Sequence, residues 1–113
     1  MHEMSIAQSI IDIALEEAEK ANADLIKTIA VDVGALSCVD PHALDFGFKA
    51  VAAGTRAEQA RLQIETVPAS AYCFACEATV EVKHRGAACP SCGSRKLIVT
   101  QGEDLRVREL EIV

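Results

Sequence analysis

The 113-residue chain has no tryptophan and only four aromatic residues, three Phe and one Tyr. It also has no excess of basic charge, with 11 Lys+Arg against 17 Asp+Glu for a formal −6. Phosphate contact needs clustered cations, and single-strand binding adds stacking rings, so this composition argues against a general nucleic-acid binder. Long apolar runs are missing as well. Asp32 breaks the stretch between Ile29 and Cys38, and nothing reaches the roughly 20 apolar residues of a membrane span. The start Met1-His2-Glu3-Met4-Ser5 carries an acid where a signal peptide has a basic head, and Ser, Gln and Asp follow where it has an apolar core. There is no phosphate-binding glycine loop, no nucleophile–base pair and no open metal site beside a general base, so an enzyme is not expected. These absences lead to an expectation of one cytoplasmic domain, or one with a small appendage, with no nucleic-acid or membrane partner.

Apolar periodicity supplies the elements. Met4, Ala7, Ile10, Ile11, Ala14, Leu15 and Ala18 fall on one helical face, with Asp12, Glu16, Glu19 and Lys20 on the wet side. Ser5 with Gln8 resembles a capping box, and Asn22 is a plausible end. Leu25–Val33 alternates as a strand, with Ile29, Val31 and Val33 on one face. Asp40-Pro41 begins a second helix over about 40–53: Asp accepts bonds from the free N–H groups of a first turn, and Pro lacks only a donor that would be unpaired there. Gly54 is placed for a left-handed cap. Leu62 and Ile64 mark a second strand, ended by Pro68. Leu105–Val113 reads as a last strand in which Leu105 and Val107 differ in parity from Leu110 and Ile112, a shift that a bulge near Glu109 would reconcile. The expected fold is α+β. A small three-stranded sheet packs with two helices, residues 1–68 form an α/β domain completed by the C-terminal strand 100–113, and a module over 69–99 is inserted.

That module holds Cys73, Cys76, Cys89 and Cys92, four of the five cysteines, as Cys-x2-Cys, twelve residues, Cys-x2-Cys. Two residues between cysteines let the backbone loop so that both sulfurs and the turning N–H groups face one point, and two such knuckles close a tetrahedral four-thiolate zinc site. Two disulfides do not suit an unsecreted acidic chain. An iron–sulfur site uses the same ligands but is more often wrapped in aromatics, and only Tyr72 and Phe74 are nearby. Ala78–Lys83 and Leu97–Val99 read as ribbon strands around a turn at Arg85-Gly86. About thirty residues with this little apolar content need metal to fold. A closed tetrathiolate leaves no position for substrate, so its expected role is structural or regulatory rather than catalytic. Residues 69–98 carry Lys83, Arg85, Arg95 and Lys96 against Glu77 and Glu81, which is +2 and leaves −8 on the rest. Cys38 stands apart and is expected to be a small buried residue near the strand end.

His2 matters through its position. If Met1 is retained, its amine, the His2 amide nitrogen and His2 Nδ1 close adjacent five- and six-membered chelate rings on one metal, with Glu3 adding an amide or carboxylate. Nitrogen-rich, near-planar ligation suits Ni(II) or Cu(II). His42 and His84 have no such geometry and read as polar surface residues.

The Met-His-Glu start, the leading amphipathic helix, the late pair of Cys-x2-Cys knuckles with Cys89-Pro-Ser-Cys92-Gly93, and the terminal run beginning at Leu105 together resemble the HypA/HybF family of hydrogenase nickel-incorporation proteins across essentially the whole chain. The resemblance implies a nickel metallochaperone for [NiFe]-hydrogenase maturation, and in some organisms for urease, acting with a HypB-type GTPase. It maps nickel as transferred cargo onto His2, with Glu3 contributing, and structural zinc onto Cys73, Cys76, Cys89 and Cys92. The recipient implied is the hydrogenase large-subunit precursor, with urease maturation proteins as further partners. A monomer and a homodimer made by exchanging the last strand both fit. The competing reading is a zinc-ribbon adaptor for protein or nucleic acid, with the His2 terminus incidental.

Overall fold

The computed structural model describes residues 3–113. The chain runs α1 (Glu3–Lys20), β1 (Ile26–Gly34), α2 (Pro41–Ala52), β2 (Arg61–Val67), β3 (Ala69–Cys73), β4 (Ala78–Val82), β5 (Leu97–Gln101) and β6 (Leu105–Ile112). The strands form two three-stranded sheets in the orders β2-β1-β6 and β4-β3-β5, an α+β architecture. Two compact units divide the chain. One holds the residues up to Val31, Val39–Glu65 and Arg106–Val113, and the other holds Asp32–Cys38 and Thr66–Leu105.

In the first unit α1 buries Ala7, Ile10, Ile11, Ala14 and Ala18, and α2 contributes Leu44, Phe48 and Ala52. Small residues on the α1 stripe allow close approach to α2, and Gly47 marks the tightest point: a Cβ there would lie 2.9 Å from Met4 Sδ. Met4 lies across this glycine and stays half exposed instead of entering the core as the periodicity suggests. Burying each large aliphatic or aromatic side chain contributes about 1.5–3 kcal/mol, so Ile10, Ile11, Leu44 and Phe48 dominate the attachment of the two helices.

The helix ends follow their local chemistry. Asp40 caps α2 by accepting from the His42 N–H at 2.9 Å, Pro41 stands at its start, and Gly54 follows its end at φ +79°. Asn22 takes φ 54°, and the bonds Ala23 N–H to Ala18 O and Asn22 N–H to Glu19 O close α1 as a Schellman motif. The capping box expected at Ser5 does not form. Ser5 is already inside α1, where its carbonyl accepts from the Ser9 hydroxyl, and Gln8 bonds forward to Asp12.

β1 lies central in its sheet, and Ile29, Ala30, Val31 and Val33 are all buried. In β6 the half-buried positions are Leu105 and Val107, then Leu110, so the parity shift seen in the sequence is present.

In the second unit β3 is central and antiparallel to both neighbours, with Tyr72 opposite Thr79 on one side and Ile98 on the other. Sequence patterning missed this strand, because Ala69-Ser-Ala-Tyr-Cys73 has no β-branched residue and ends in a metal knuckle. Leu36, Ala69, Ala71 and Val82 form its small core, flanked by Val80, Ala87, Leu97 and Val99. Backbones crowd at one corner: a Cβ on Gly34 would meet Gly102 O at 2.2 Å, and one on Gly102 would meet Ala69 Cα at 2.5 Å. The Leu36 N–H donates to Gly102 O there at 2.8 Å.

Candidate metal centre

The thiolate cluster is assembled by β3 and two tight loops. β3 ends at Cys73, and the chain turns through Cys76 and re-enters as β4 at Ala78. The Cys76 N–H reaches back to Cys73 Sγ at 3.4 Å. The second knuckle is stitched by Gly93 N–H to Cys89 O and by Cys89 N–H to Ser94 O, both at 2.8 Å. Each knuckle leaves its second cysteine through a left-handed residue at the same offset, Glu77 at φ 54° and Gly93 at φ 76°. A lone left-handed residue turns the chain out of the loop and keeps both sulfurs on the inside, where glycine bears the conformation without steric cost.

The four Sγ atoms all lie within 4.8 Å of one another, with Cys73 to Cys92 at 3.7 Å and Cys76 to Cys89 at 3.8 Å. A tetrahedral ion with sulfur at about 2.3 Å places its ligands about 3.8 Å apart, so the donor set and spacing fit Zn(II). They do not fit disulfides, which require about 2.05 Å, and all five cysteines are free thiols. Cys73 and Cys89 are buried, Cys76 is half-buried and Cys92 is at the surface. The backbone N–H of Cys92, aided by that of Ser91 and opposed by burial, holds the Cys89 thiol down at about 6. The Cys76 thiol is pushed up to about 12, first by its hydrogen bond with Cys92 and then by burial.

The other candidate ligands lie at the start of α1. Met1 and His2 fall outside the described residues. Glu3 opens the described part of α1, and its carboxylate accepts the Asp40 N–H at 3.3 Å, drawing the α2 cap to this end of the helix. Its own backbone N–H and that of Asp40 hold the Glu3 carboxyl below the usual carboxylate range. Sequence reasoning used Asp40 only as a cap and missed its approach to Glu3, since the two are far apart in the chain and no local pattern joins them. His42 and His84 are exposed, as expected. Cys38 is a correction. It is exposed at φ 61° in the turn after β1, because the chain reverses before it can pack, and its thiol points at Leu36 O at 3.7 Å. No helix among the described residues is long and apolar enough to cross a membrane.

A family model described as hydrogenase/urease nickel incorporation, metallochaperone, matches residues 1–112. The hydrogenase maturation factor HypA 2 of Bradyrhizobium diazoefficiens is 49% identical over 112 residues, covering 99% of each chain. The HypA of Rhodopseudomonas palustris strain BisA53 is 46% identical, with 99% of each chain covered. Among solved structures, the Ni metallochaperone HypA from Helicobacter pylori superposes with a TM-score of 0.72 at 27% identity, covering 100% of this chain and 98% of that one.

Proposed function

Because this chain belongs to the HypA family of hydrogenase/urease nickel-incorporation metallochaperones, we propose that it binds Ni(II) at Met1, His2 and Glu3 and delivers it to the [NiFe]-hydrogenase large-subunit precursor. The recipient extends to urease maturation where a host has that enzyme. A HypB-type GTPase is the working partner, the setting is the cytoplasm, and the chain acts as a monomer or homodimer. Zinc on Cys73, Cys76, Cys89 and Cys92 gives the ribbon its fold and leaves no ligand position for the cargo.

The observation that carries this reading is the separation of two donor chemistries. The four sulfurs are spaced to hold one tetrahedral ion. Glu3 sits at the described start of α1, and its carboxylate is steadied by the Asp40 N–H. Delivery requires ligand exchange, which a nitrogen- and oxygen-bearing chain terminus permits and a closed tetrathiolate resists. Amine, amide and imidazole nitrogens suit Ni(II), and the amine and amide must lose protons, so nickel affinity should rise with pH.

The test is Ni(II) titration of zinc-loaded wild type and His2→Ala, with zinc content measured in both. The expected result is loss of tight nickel binding in the variant with zinc retained. Equal affinities would sink the assignment and return the chain to the adaptor reading. In the host, His2→Ala should lower hydrogenase activity in a way that excess nickel restores.

A further inference from the structure

The zinc-ribbon unit carries a groove that neither metal uses. Ala71, Val82, Leu97 and Val99 give it an aliphatic floor, and His84 and Arg95 stand among its walls. No carboxylate lines it. Its volume is about 250 Å³, below the usual 300–1,000 Å³ of a drug-sized site and enough for one branched side chain with a small polar head.

The charges of this unit are unevenly satisfied. Lys83 pairs with Glu81 at 3.1 Å and Arg85 with Glu103 at 2.6 Å. Arg95 has no acidic partner among the described residues, and one guanidinium nitrogen donates to Gly86 O at 2.9 Å, which fixes the fork beside the groove. A guanidinium held this way with its remaining N–H groups unused is suited to a carboxylate. His84 Nδ1 lies 3.1 Å from Arg85 O. Donation through Nδ1 leaves Nε2 as an acceptor, suited to a peptide N–H.

We propose that this groove captures the free carboxy-terminal residue of a partner polypeptide, a branched aliphatic one such as Leu or Val. The side chain lies on the Ala71–Leu97–Val99 floor, the α-carboxylate meets Arg95, and the last peptide N–H faces His84. A chain terminus is favoured over an internal acidic segment by geometry. In an extended segment neighbouring side chains point to opposite faces, so an internal Glu next to Leu cannot offer both to one small groove. A terminal residue carries its carboxylate and its side chain on the same Cα. The proposal is independent of the nickel reading, because it uses neither Glu3 nor the thiolates.

The test uses full-length zinc-loaded protein and three synthetic probes: an acetylated tetrapeptide ending in Val-Leu with a free carboxylate, the same peptide as its amide, and a fully blocked peptide with an internal Glu-Leu. Calorimetry and methyl NMR provide the readouts. The free-carboxylate peptide should bind saturably, with Kd on the order of 1 mM or tighter, and the other two at least about tenfold more weakly. Shifts should centre on the Ala71, Leu97 and Val99 methyls. Arg95→Gln should cost about tenfold or more, and Lys96→Gln, which alters a nearby cation outside the groove, should leave binding unchanged. The wild-type shift map does not depend on either variant folding. Equal binding of acid and amide, preference for the internal segment, shifts away from the groove, or no saturable binding would each overturn the proposal.

Discussion

Two glycines separate the cost of a backbone angle from the cost of a collision. Gly93 sits at φ 76° with open space where a Cβ would go, whereas Gly102 sits at φ 97° with Ala69 Cα only 2.5 Å from that point. Gly93→Ala should lower stability by about 1 kcal/mol, the left-handed penalty alone, and Gly102→Ala by roughly 2–4 kcal/mol, since backbone must move as well. Urea denaturation of the zinc-loaded variants checks the order, and equal losses would contradict it. Glu3 makes a second residue-scale prediction. Its carboxyl is depressed by its own N–H and that of Asp40. Its bond to Asp40 is therefore fully present above the ordinary carboxylate range and lost as pH falls through the lowered folded value. The Asp40 amide resonance should report that loss on acid titration, and in Glu3→Gln the same step should vanish. At this scale much was legible: Asp40, Asn22 and the four clustered cysteines declare themselves through side-chain chemistry at a fixed offset. Cys38 did not, because its exposure depends on a turn that no local pattern encodes.

Elements were legible in proportion to their apolar content. α1, α2, β1 and β2 follow from periodicity, whereas β3 reads Ala-Ser-Ala-Tyr-Cys and gives little sign of a central strand. What makes it one is the knuckle that ends it and the partners that flank it, and both depend on the cysteine cluster. The small core of Leu36, Ala69, Ala71 and Val82 is too slight to hold three strands unaided. Metal removal is therefore expected to dissolve β3, β4 and β5 together. Tyr72 is the chain's single tyrosine, there is no tryptophan, and its ring lies edge-on to Phe74 at 5.2 Å. Chelation of zinc should change tyrosine emission and strand circular dichroism in one transition, reversed by added zinc; unchanged signals would show that the module folds without metal. Release should also respond to acid. Cys89 keeps its thiolate down to about 6 while Cys76 is protonated well above neutrality, so binding expels protons and affinity falls as pH drops. Competition with a chromogenic chelator across pH 5–8 measures that dependence.

At the scale of the whole molecule, the chain passes between its two units four times, after Val31, Cys38, Glu65 and Leu105. The sheet order β2-β1-β6 sets the last strand beside the first, with the whole cysteine module between β2 and β6 in sequence. From the sequence alone the last strand, with no other core to join, is expected to return to this sheet with the module between neighbouring strands; the two strands that flank the module in the chain are instead separated by β1. Removing residues 105–113 should expose the inner edge of β1 and promote self-association, measurable by light scattering. The same order imposes a timetable on synthesis. Every ligand of the four-sulfur site precedes β6, and elongation at roughly 5–20 residues per second leaves a short interval in which β1 has β2 on one flank and nothing on the other. The metal module can therefore be finished before the sheet that precedes it. Until synthesis reaches β6, the first sheet of this acidic protein carries an open edge.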